Sequence, residues 1–190
     1  MKLKAGELSF NVLESGSGEP ALLFLHYWGG SARTWHAVIS ELSTDFRCIA
    51  YDQRGWGQSD APEQGYLIRD LALDAKHIVE VLQLRRYVLV GHSMGGKVVQ
   101  FLASQRPPGL VGLVLVAPAT PTPQNIPEPA RQAHLHAYDN RENASRRWRS
   151  LLHILRVTRC GSRSSQTISQ LPPKQSSLGQ RCQRTRIFQE

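Results

Sequence analysis

Residues 90–97 read Val-Gly-His-Ser-Met-Gly-Gly-Lys, which places Ser93 between Gly91 and Gly95. An apolar run at 87–90 precedes this stretch, and a helical pattern at 94–104 follows it. A Gly-x-Ser-x-Gly between a strand and a helix is typical of a nucleophile elbow, a sharp turn that exposes the serine above a sheet. Glycines at the flanking positions leave room for so tight a turn. The alternative interpretation is an ordinary glycine-rich turn between a strand and a helix.

Strand-like and helix-like segments alternate on both sides of the elbow. Short continuous apolar runs are typical of strands buried on both faces, and an apolar period of 3.6 is typical of helices. The alternation predicts an α/β fold with a doubly wound, mostly parallel sheet. An alternating segment at 7–14 predicts an antiparallel strand before the first buried one. Strands are predicted at 21–25, 46–51, 87–90 and 110–117, and helices at 34–42, 67–84 and 94–104.

Two loops that follow predicted strands complete a candidate site. At the elbow, the backbone N–H of Met94 opens a helix and is placed to meet a developing oxyanion. The stretch His26-Tyr27-Trp28-Gly29-Gly30-Ser31 follows the first buried strand and offers a second N–H of this kind. The stretch 52–60, Asp-Gln-Arg-Gly-Trp-Gly-Gln-Ser-Asp, combines glycines for tight turns with side chains that bond the backbone.

These three motifs resemble those of the α/β-hydrolase fold superfamily, especially its esterase and epoxide hydrolase branches. The shared features are a His-Gly loop, a D-x-R-G-x-G-x-S-D loop and a G-H-S-M-G-G elbow, and the resemblance covers roughly residues 5–143. It implies that Ser93 is the nucleophile and that Met94 and Trp28 donate the oxyanion N–H groups. Tyr27 departs from the family, which usually has glycine there. A structural role is predicted for Arg54.

The partners of Ser93 are not evident in the sequence. A serine hydroxyl needs a base and a group that orients the base. The resemblance implies an Asp or Glu and then a His, on loops after two later strands. No apolar strand is evident after Val116, so the triad acid and base remain unassigned. His92 is predicted to point away from the serine oxygen, and four further residues are weak candidates because none follows a strand: His134, His136, Asp139 and His153.

The sequence therefore predicts a serine hydrolase that cleaves an ester or similar bond of a small molecule through an acyl-enzyme. The resemblance implies no metal and no organic cofactor. The alternative is a truncated, catalytically inactive relative, or one that binds a ligand without turnover. No apolar stretch of 18 residues is present, so no membrane span is expected, and a cytoplasmic location is the default expectation. Nucleic acid is not an expected partner, and the oligomeric state is left open.

The net charge of +8 is concentrated at the C-terminal end. Residues 1–143 contain 13 basic and 14 acidic residues, whereas residues 144–190 contain 10 basic residues and one acid, Glu190. The predicted organisation is the N-terminal part of a hydrolase domain at 1–143, with a cap region beginning at 118–143. For the Arg/Ser/Gln-rich tail at 144–190 three interpretations are open: disorder, a frameshift near 144–149, or a basic segment that binds nucleic acid or an anionic surface.

The sequence also predicts the state of Cys48 and the extent of the sheet. Cys48 lies in a predicted strand and is expected to be a buried thiol, since three widely spaced cysteines favour neither a disulfide framework nor a zinc site. The sheet is expected to be incomplete after about the sixth strand. The strand at 110–117 would then be an exposed edge whose apolar surface favours aggregation.

Overall fold

The computed structural model describes residues 1–146. They belong to two compact units, Met1–Asn125 and a unit that begins at Ile126, which are treated separately below. Two predictions concern residues outside the described part of the chain: the weak base candidate His153 and nearly all of the basic tail, which also contains two of the three cysteines. The division of the chain at residue 143 also remains a prediction.

The first unit alternates strands and helices as the sequence predicts. Its strands are β1 (Lys2–Ala5), β2 (Leu8–Ser15), β3 (Ala21–Leu25), β4 (Cys48–Tyr51), β5 (Tyr87–His92) and β6 (Leu110–Val116). Its helices are α1 (His36–Leu42), α2 (Ile68–Val81) and α3 (Met94–Ser104), and a 3-10 turn at Ala32–Trp35 leads into α1. In the second unit, α4 spans Glu128–Leu135.

The six strands form one sheet in the order β1-β2-β4-β3-β5-β6. Strands β4, β3, β5 and β6 are parallel to their neighbours, whereas β1 and β2 are antiparallel. This mostly parallel α/β sheet confirms the predicted fold class, and β6 is its last strand among residues 1–146. Since parallel strands end at the same edge, the loops after β3, β4 and β5 converge on one side of the molecule.

Both faces of the sheet are covered at its centre. Beneath α1, a buried cluster unites the 3-10 turn and the helix with alternate strand residues: Leu22, Phe24, Cys48, Ala50 and Val90 against Ala32, Trp35 and Ile39. Because side chains alternate along a strand, the intervening Leu23, Ile49 and Leu89 point to the opposite face. All three are fully buried, and helices α2 and α3 pack against each other. Cys48 is a buried free thiol, as expected.

Several predicted boundaries differ from the structure. Strand β1 has no apolar run of its own and forms through pairing with β2, in which Lys2 faces Asn11. The helix predicted to reach residue 84 ends at Val81, because Gln83 adopts a positive φ of 53° that closes it. Helix α4 was not among the predicted helices; it contains Pro129 in its first turn, where the missing N–H of proline would have no partner within the helix.

Strand β6 is the exposed edge that the sequence predicts. Val111, Leu113, Val114, Leu115 and Val116 are each between 39% and 50% exposed. Consecutive residues on a strand point to opposite faces, so the exposure affects both faces of β6. An open apolar edge of this kind is a template for pairing with another chain.

We therefore expect the purified protein to self-associate at micromolar concentration. Replacement of Val114 by Lys places a charge on the exposed edge and should shift the population toward monomer. Sedimentation velocity over a concentration series measures the self-association of the wild type and the shift toward monomer in the variant. Val38→Lys, on α1 and 41% exposed, is the matched control. Equal self-association of wild type and Val114→Lys would contradict a role for β6.

No helix among residues 1–146 is long and apolar enough to cross a membrane.

Candidate active site

Ser93 occupies a strained backbone conformation between β5 and α3. Its φ of 53° and ψ of −112° lie outside the regions that residues with a side chain normally adopt. Such conformations cost about 1–3 kcal/mol and persist where the surrounding structure enforces them. A half-buried serine held in this way, directly after a parallel strand and at the start of a helix, has the geometry predicted for the elbow.

Strand β6 and the residues after it hold the elbow in place. The N–H of Ser93 donates to the carbonyl oxygen of Val116 at 3.1 Å, and the N–H of Ala119 donates to the carbonyl oxygen of Ser93 at 2.9 Å. The same Ser93 oxygen accepts the N–H of Lys97 at 3.1 Å, as the first turn of α3 requires. The edge strand thus contributes directly to the conformation of the candidate nucleophile.

The two flanking glycines are needed for close backbone contacts. A Cβ on Gly95 would lie 2.4 Å from the carbonyl oxygen of Leu25 and 2.7 Å from that of His26, so α3 packs against the end of β3. A Cβ on Gly91 would lie 2.5 Å from the oxygen of Gly95 and 2.6 Å from Val99 Cγ2. The crowding at Gly91 therefore comes from the helix that follows it and not from a neighbouring strand.

Met94 is the first residue of α3 and is buried. The first N–H groups of a helix have no acceptor within the helix and lie at its positive end. Trp28, the other predicted donor, is buried in the loop after β3, where its ring packs edge-on against Trp56 with centroids 5.3 Å apart. The contact of Gly95 with Leu25 and His26 brings the segments that contain the two donors together.

His26 connects the loops after β3 and β4. Its Nε2 accepts the N–H of Gln53 at 3.0 Å, and the Gln53 side-chain amide donates to the carbonyl oxygen of His26 at 2.8 Å. The Nδ1 of His26 lies 2.7 Å from the carbonyl oxygen of Tyr27. Since a backbone N–H can only donate, Nε2 carries no proton, which assigns the proton to Nδ1. His26 is fully buried, and burial lowers its pKa to about 4, against the opposing effects of the Tyr27 carbonyl and the Asp52 carboxylate.

A pH dependence of stability follows from His26. With a pKa of about 4 in the folded protein and 6.5 in the unfolded chain, the unfolded chain binds the extra proton between these values. The stability from neutral His26 is therefore complete above pH 6.5 and is lost as the pH falls toward 4. The difference corresponds to about 3 kcal/mol.

Urea denaturation at pH 7.5 and pH 4.5 measures this loss. Replacement of His26 by Gln retains an acceptor for Gln53 but removes the titrating ring, so the stability of that variant should depend less on pH. Some dependence should remain, because burial also lowers the pKa of His92. An identical dependence in both proteins would show that His26 is not responsible.

Asp52 organises the second loop. It is 3% exposed, and its Oδ1 accepts the N–H of Ala32 at 2.7 Å. Its Oδ2 accepts the N–H of Gln58 at 2.9 Å and the side-chain amide of Asn11 at 3.0 Å. Ser59 in turn donates its hydroxyl to the carbonyl oxygen of Asp52 at 2.5 Å. These bonds confirm that Asp and Ser of the loop bond the backbone, and they join β2, β4 and the 3-10 turn.

Comparison with known proteins identifies the family to which the chain belongs. The sequence profile of the family described as alpha/beta hydrolase fold matches residues 20–153. The chain belongs to this family. Among curated relatives, the 2-(acetamidomethylene)succinate hydrolase of Mesorhizobium japonicum is 35% identical over 136 residues, which are 72% of this chain and 48% of the relative. Epoxide hydrolase 4 of Mus musculus is 29% identical over 133 residues, 68% of this chain and 35% of the relative.

Solved structures of the family give the same result. The crystal structure of E-2-(acetamidomethylene)succinate hydrolase has a TM-score of 0.61 and 31% identity, and the match covers 72% of this chain and 49% of that one. The esterase EaEST of Exiguobacterium antarcticum has a TM-score of 0.61 and 27% identity, covering 66% and 47%. This α/β-hydrolase chain thus spans about half the length of these relatives, or less.

Arg54 of the α/β-hydrolase chain is engaged in a buried ion pair. Its guanidinium donates to both carboxylate oxygens of Asp74 on α2 and, at 2.6 Å, to the carbonyl oxygen of Gly65. The side chains of Arg54 and Asp74 are only 12% and 4% exposed. Burial raises the pKa of Asp74, and the bond from Arg54 opposes that shift. This pairing agrees with the structural role predicted for Arg54.

His92 packs among aromatic side chains. Its ring centroid lies 5.1 Å from that of Tyr27 and 6.3 Å from that of Trp35, both in edge-on arrangements. These contacts are on the α1 side of the sheet. They agree with a structural role for His92, and one of them is made by Tyr27, which stands where the family usually has glycine.

The structure assigns no acid or base to Ser93. Within Met1–Asn125, the Ser93 hydroxyl has no hydrogen bond with a histidine or a carboxylate. In the second unit, His136 Nδ1 lies 2.6 Å from Asp139 Oδ2. Both side chains are exposed and are three residues apart, and their contact was not predicted. His134 Nδ1 lies 2.7 Å from the carbonyl oxygen of Ala130, one helical turn earlier. Residues 1–146 contain no group of three potential metal-ligating side chains.

Proposed function

We propose that this α/β-hydrolase acts as a serine hydrolase on an ester or a similar bond of a small molecule. The observation that carries the proposal is the strained backbone of Ser93, with φ of 53°, between β5 and α3. Strain of this size persists at sites where the presentation of a side chain matters. The names of the relatives, which include a succinate-derivative hydrolase, an esterase and an epoxide hydrolase, support hydrolysis of a small molecule.

The proposed chemistry is acyl transfer. The Oγ of Ser93 attacks the carbonyl carbon of the substrate, the alcohol departs, and water then cleaves the acyl-enzyme. The N–H groups of Met94 and Trp28 stabilise the oxyanion that forms during both attacks. Each donor of this kind contributes about 10²–10³ in rate in enzymes where it has been removed. A general base must take the proton of Ser93 and pass it to the departing alcohol. No residue of Met1–Asn125 is assigned to that role.

A second candidate function is that of a relative that binds a small molecule without turnover. Its support is that Ser93 has no histidine or carboxylate partner within Met1–Asn125. Removal of the base from a serine hydrolase costs on the order of 10⁶ in rate, with roughly 10³–10⁴ over water remaining. The two candidates therefore differ by an amount that an esterase assay detects.

The test combines a fluorophosphonate probe with a p-nitrophenyl ester. For a serine hydrolase we expect a phosphonyl adduct on the peptide that contains Ser93, together with release of p-nitrophenol. Ser93→Ala should abolish both signals. Ser104→Ala is the matched control, because Ser104 lies at the other end of α3 and its exposed hydroxyl donates to the carbonyl oxygen of Phe101. Absence of an adduct on the wild-type protein would refute the proposed serine hydrolase and leave the ligand-binding candidate.

A further inference from the structure

The carbonyl group of Tyr27 is held by two donors. The protonated Nδ1 of His26 lies 2.7 Å from this oxygen, and the N–H of Gly30 donates to it at 2.9 Å. The first donor belongs to a side chain that is fully buried, and the second belongs to the turn that ends the loop. The orientation of the peptide group between Tyr27 and Trp28 is therefore fixed from two directions.

That peptide group also contains the N–H of Trp28. In a trans peptide the carbonyl C=O and the following N–H lie in one plane and point in opposite directions. Fixing the Tyr27 oxygen thus fixes the direction of the Trp28 N–H as well. We propose that His26 is a positioning residue, which sets the Trp28 N–H as an oxyanion donor through the carbonyl of Tyr27. The inference rests on the proposed function.

The His26 ring is itself fixed by the loop after β4. Its Nε2 accepts the Gln53 N–H at 3.0 Å, while the Gln53 side chain donates to the His26 backbone oxygen at 2.8 Å. Gln53 is 1% exposed. The rings of Trp56 and His26 pack in an edge-on arrangement, with centroids 5.9 Å apart. The ring therefore cannot rotate away from the Tyr27 carbonyl without breaking the bond to Gln53.

Two substitutions separate the roles of the two ring nitrogens. Asn has its amide near the position of Nδ1, so His26→Asn retains a donor for the Tyr27 oxygen and loses the acceptor for Gln53. Gln reaches the position of Nε2, so His26→Gln retains the acceptor and loses the donor. If His26 only stabilised the loop, the labelling rate of Ser93 in each variant would fall in line with that variant's loss of stability. If His26 positions the Trp28 N–H, the labelling rate should fall far more in the Gln variant than in the Asn variant.

The measurement is the rate at which the fluorophosphonate probe labels Ser93, followed by mass spectrometry on the full chain. We expect His26→Asn to label within about threefold of wild type and His26→Gln to label at least tenfold more slowly, as for the loss of an oxyanion donor. Ile78→Val, a core substitution on α2 away from the site, controls for destabilisation. Labelling of His26→Gln at the wild-type rate, or equal slowing of both variants, would overturn the inference.

A second measurement separates this inference from the proposed function. If wild-type Ser93 is not labelled, the proposed function fails. Amide hydrogen exchange of Gly30 then tests by itself whether His26 holds the Tyr27 carbonyl. Protection of the Gly30 N–H that persists in His26→Asn and falls at least tenfold in His26→Gln supports the positioning role. Equal protection in both variants refutes it.

Discussion

Replacement of Gly95 by Ala is expected to destabilise the protein by about 3 kcal/mol, although Ala is the better helix former. In an ordinary helix the same change is stabilising by about 1 kcal/mol. Here the added Cβ would lie 2.4 Å from the carbonyl oxygen of Leu25 and 2.7 Å from that of His26. Both atoms are backbone, in a buried strand and in the loop that follows it, so neither moves aside cheaply. The first turn of α3 must shift instead.

That shift should also affect the candidate site. Met94 precedes Gly95, so its N–H moves with the helix and the labelling of Ser93 should fall together with the stability. Gly112→Ala is the matched control, because the three atoms nearest to a Cβ there all belong to the Val88 side chain, at 3.3 Å or more. We expect that variant to remain within about 1 kcal/mol of wild type. Urea denaturation and fluorophosphonate labelling measure both effects, and a stabilised Gly95→Ala would contradict the packing described.

The same glycines show what the sequence could predict. Their place between an apolar run and a helical pattern predicted the turn, the exposed serine and, through the apolar runs, the central parallel strands. The sequence did not indicate which atoms crowd each glycine, because Gly91 on β5 faces the following helix α3, whereas Gly95 on α3 faces the end of β3. Strand β1 was missed for a related reason, since its only signal is the pairing with β2. Contacts between distant segments leave no local pattern.

The candidate site shows the same limit. Ser93, Met94 and Trp28 were predicted from motifs and remain proposals. The roles of His26 and Gln53 were not predicted, because they depend on the convergence of two loops that are 27 residues apart in the chain. Polar residues directly after two buried strands were the available signal, since parallel strands end at a common edge.

The largest expected loss of stability comes from Asp74→Ala, at about 3–5 kcal/mol. The substitution leaves the Arg54 guanidinium, 12% exposed, without its carboxylate partner. A buried charge without its partner costs far more than the pair contributes, because its desolvation is no longer compensated. Asp70, a second carboxylate that acts on Arg54, offsets only part of this loss. The carbonyl oxygen of Gly65 remains an acceptor for Arg54 and satisfies one of its donors, but it does not neutralise the charge.

Two further variants show whether the lost stability comes from the unpaired Arg54 charge or from disruption of helix α2. Glu80→Ala, on the same helix, removes an exposed pair with Lys76 and should change the free energy of unfolding by no more than about 0.5 kcal/mol. The double variant Arg54→Met, Asp74→Leu removes both charges and should recover most of the stability, since apolar residues of similar volume replace a buried pair at little cost. Because Arg54 lies two residues after the buried carboxylate of Asp52, the double variant also shows whether the loop after β4 stays stable without the ion pair. If the double variant is as unstable as Asp74→Ala, the ion pair itself holds this loop against α2. The loss in Asp74→Ala would then not come from the unpaired charge alone.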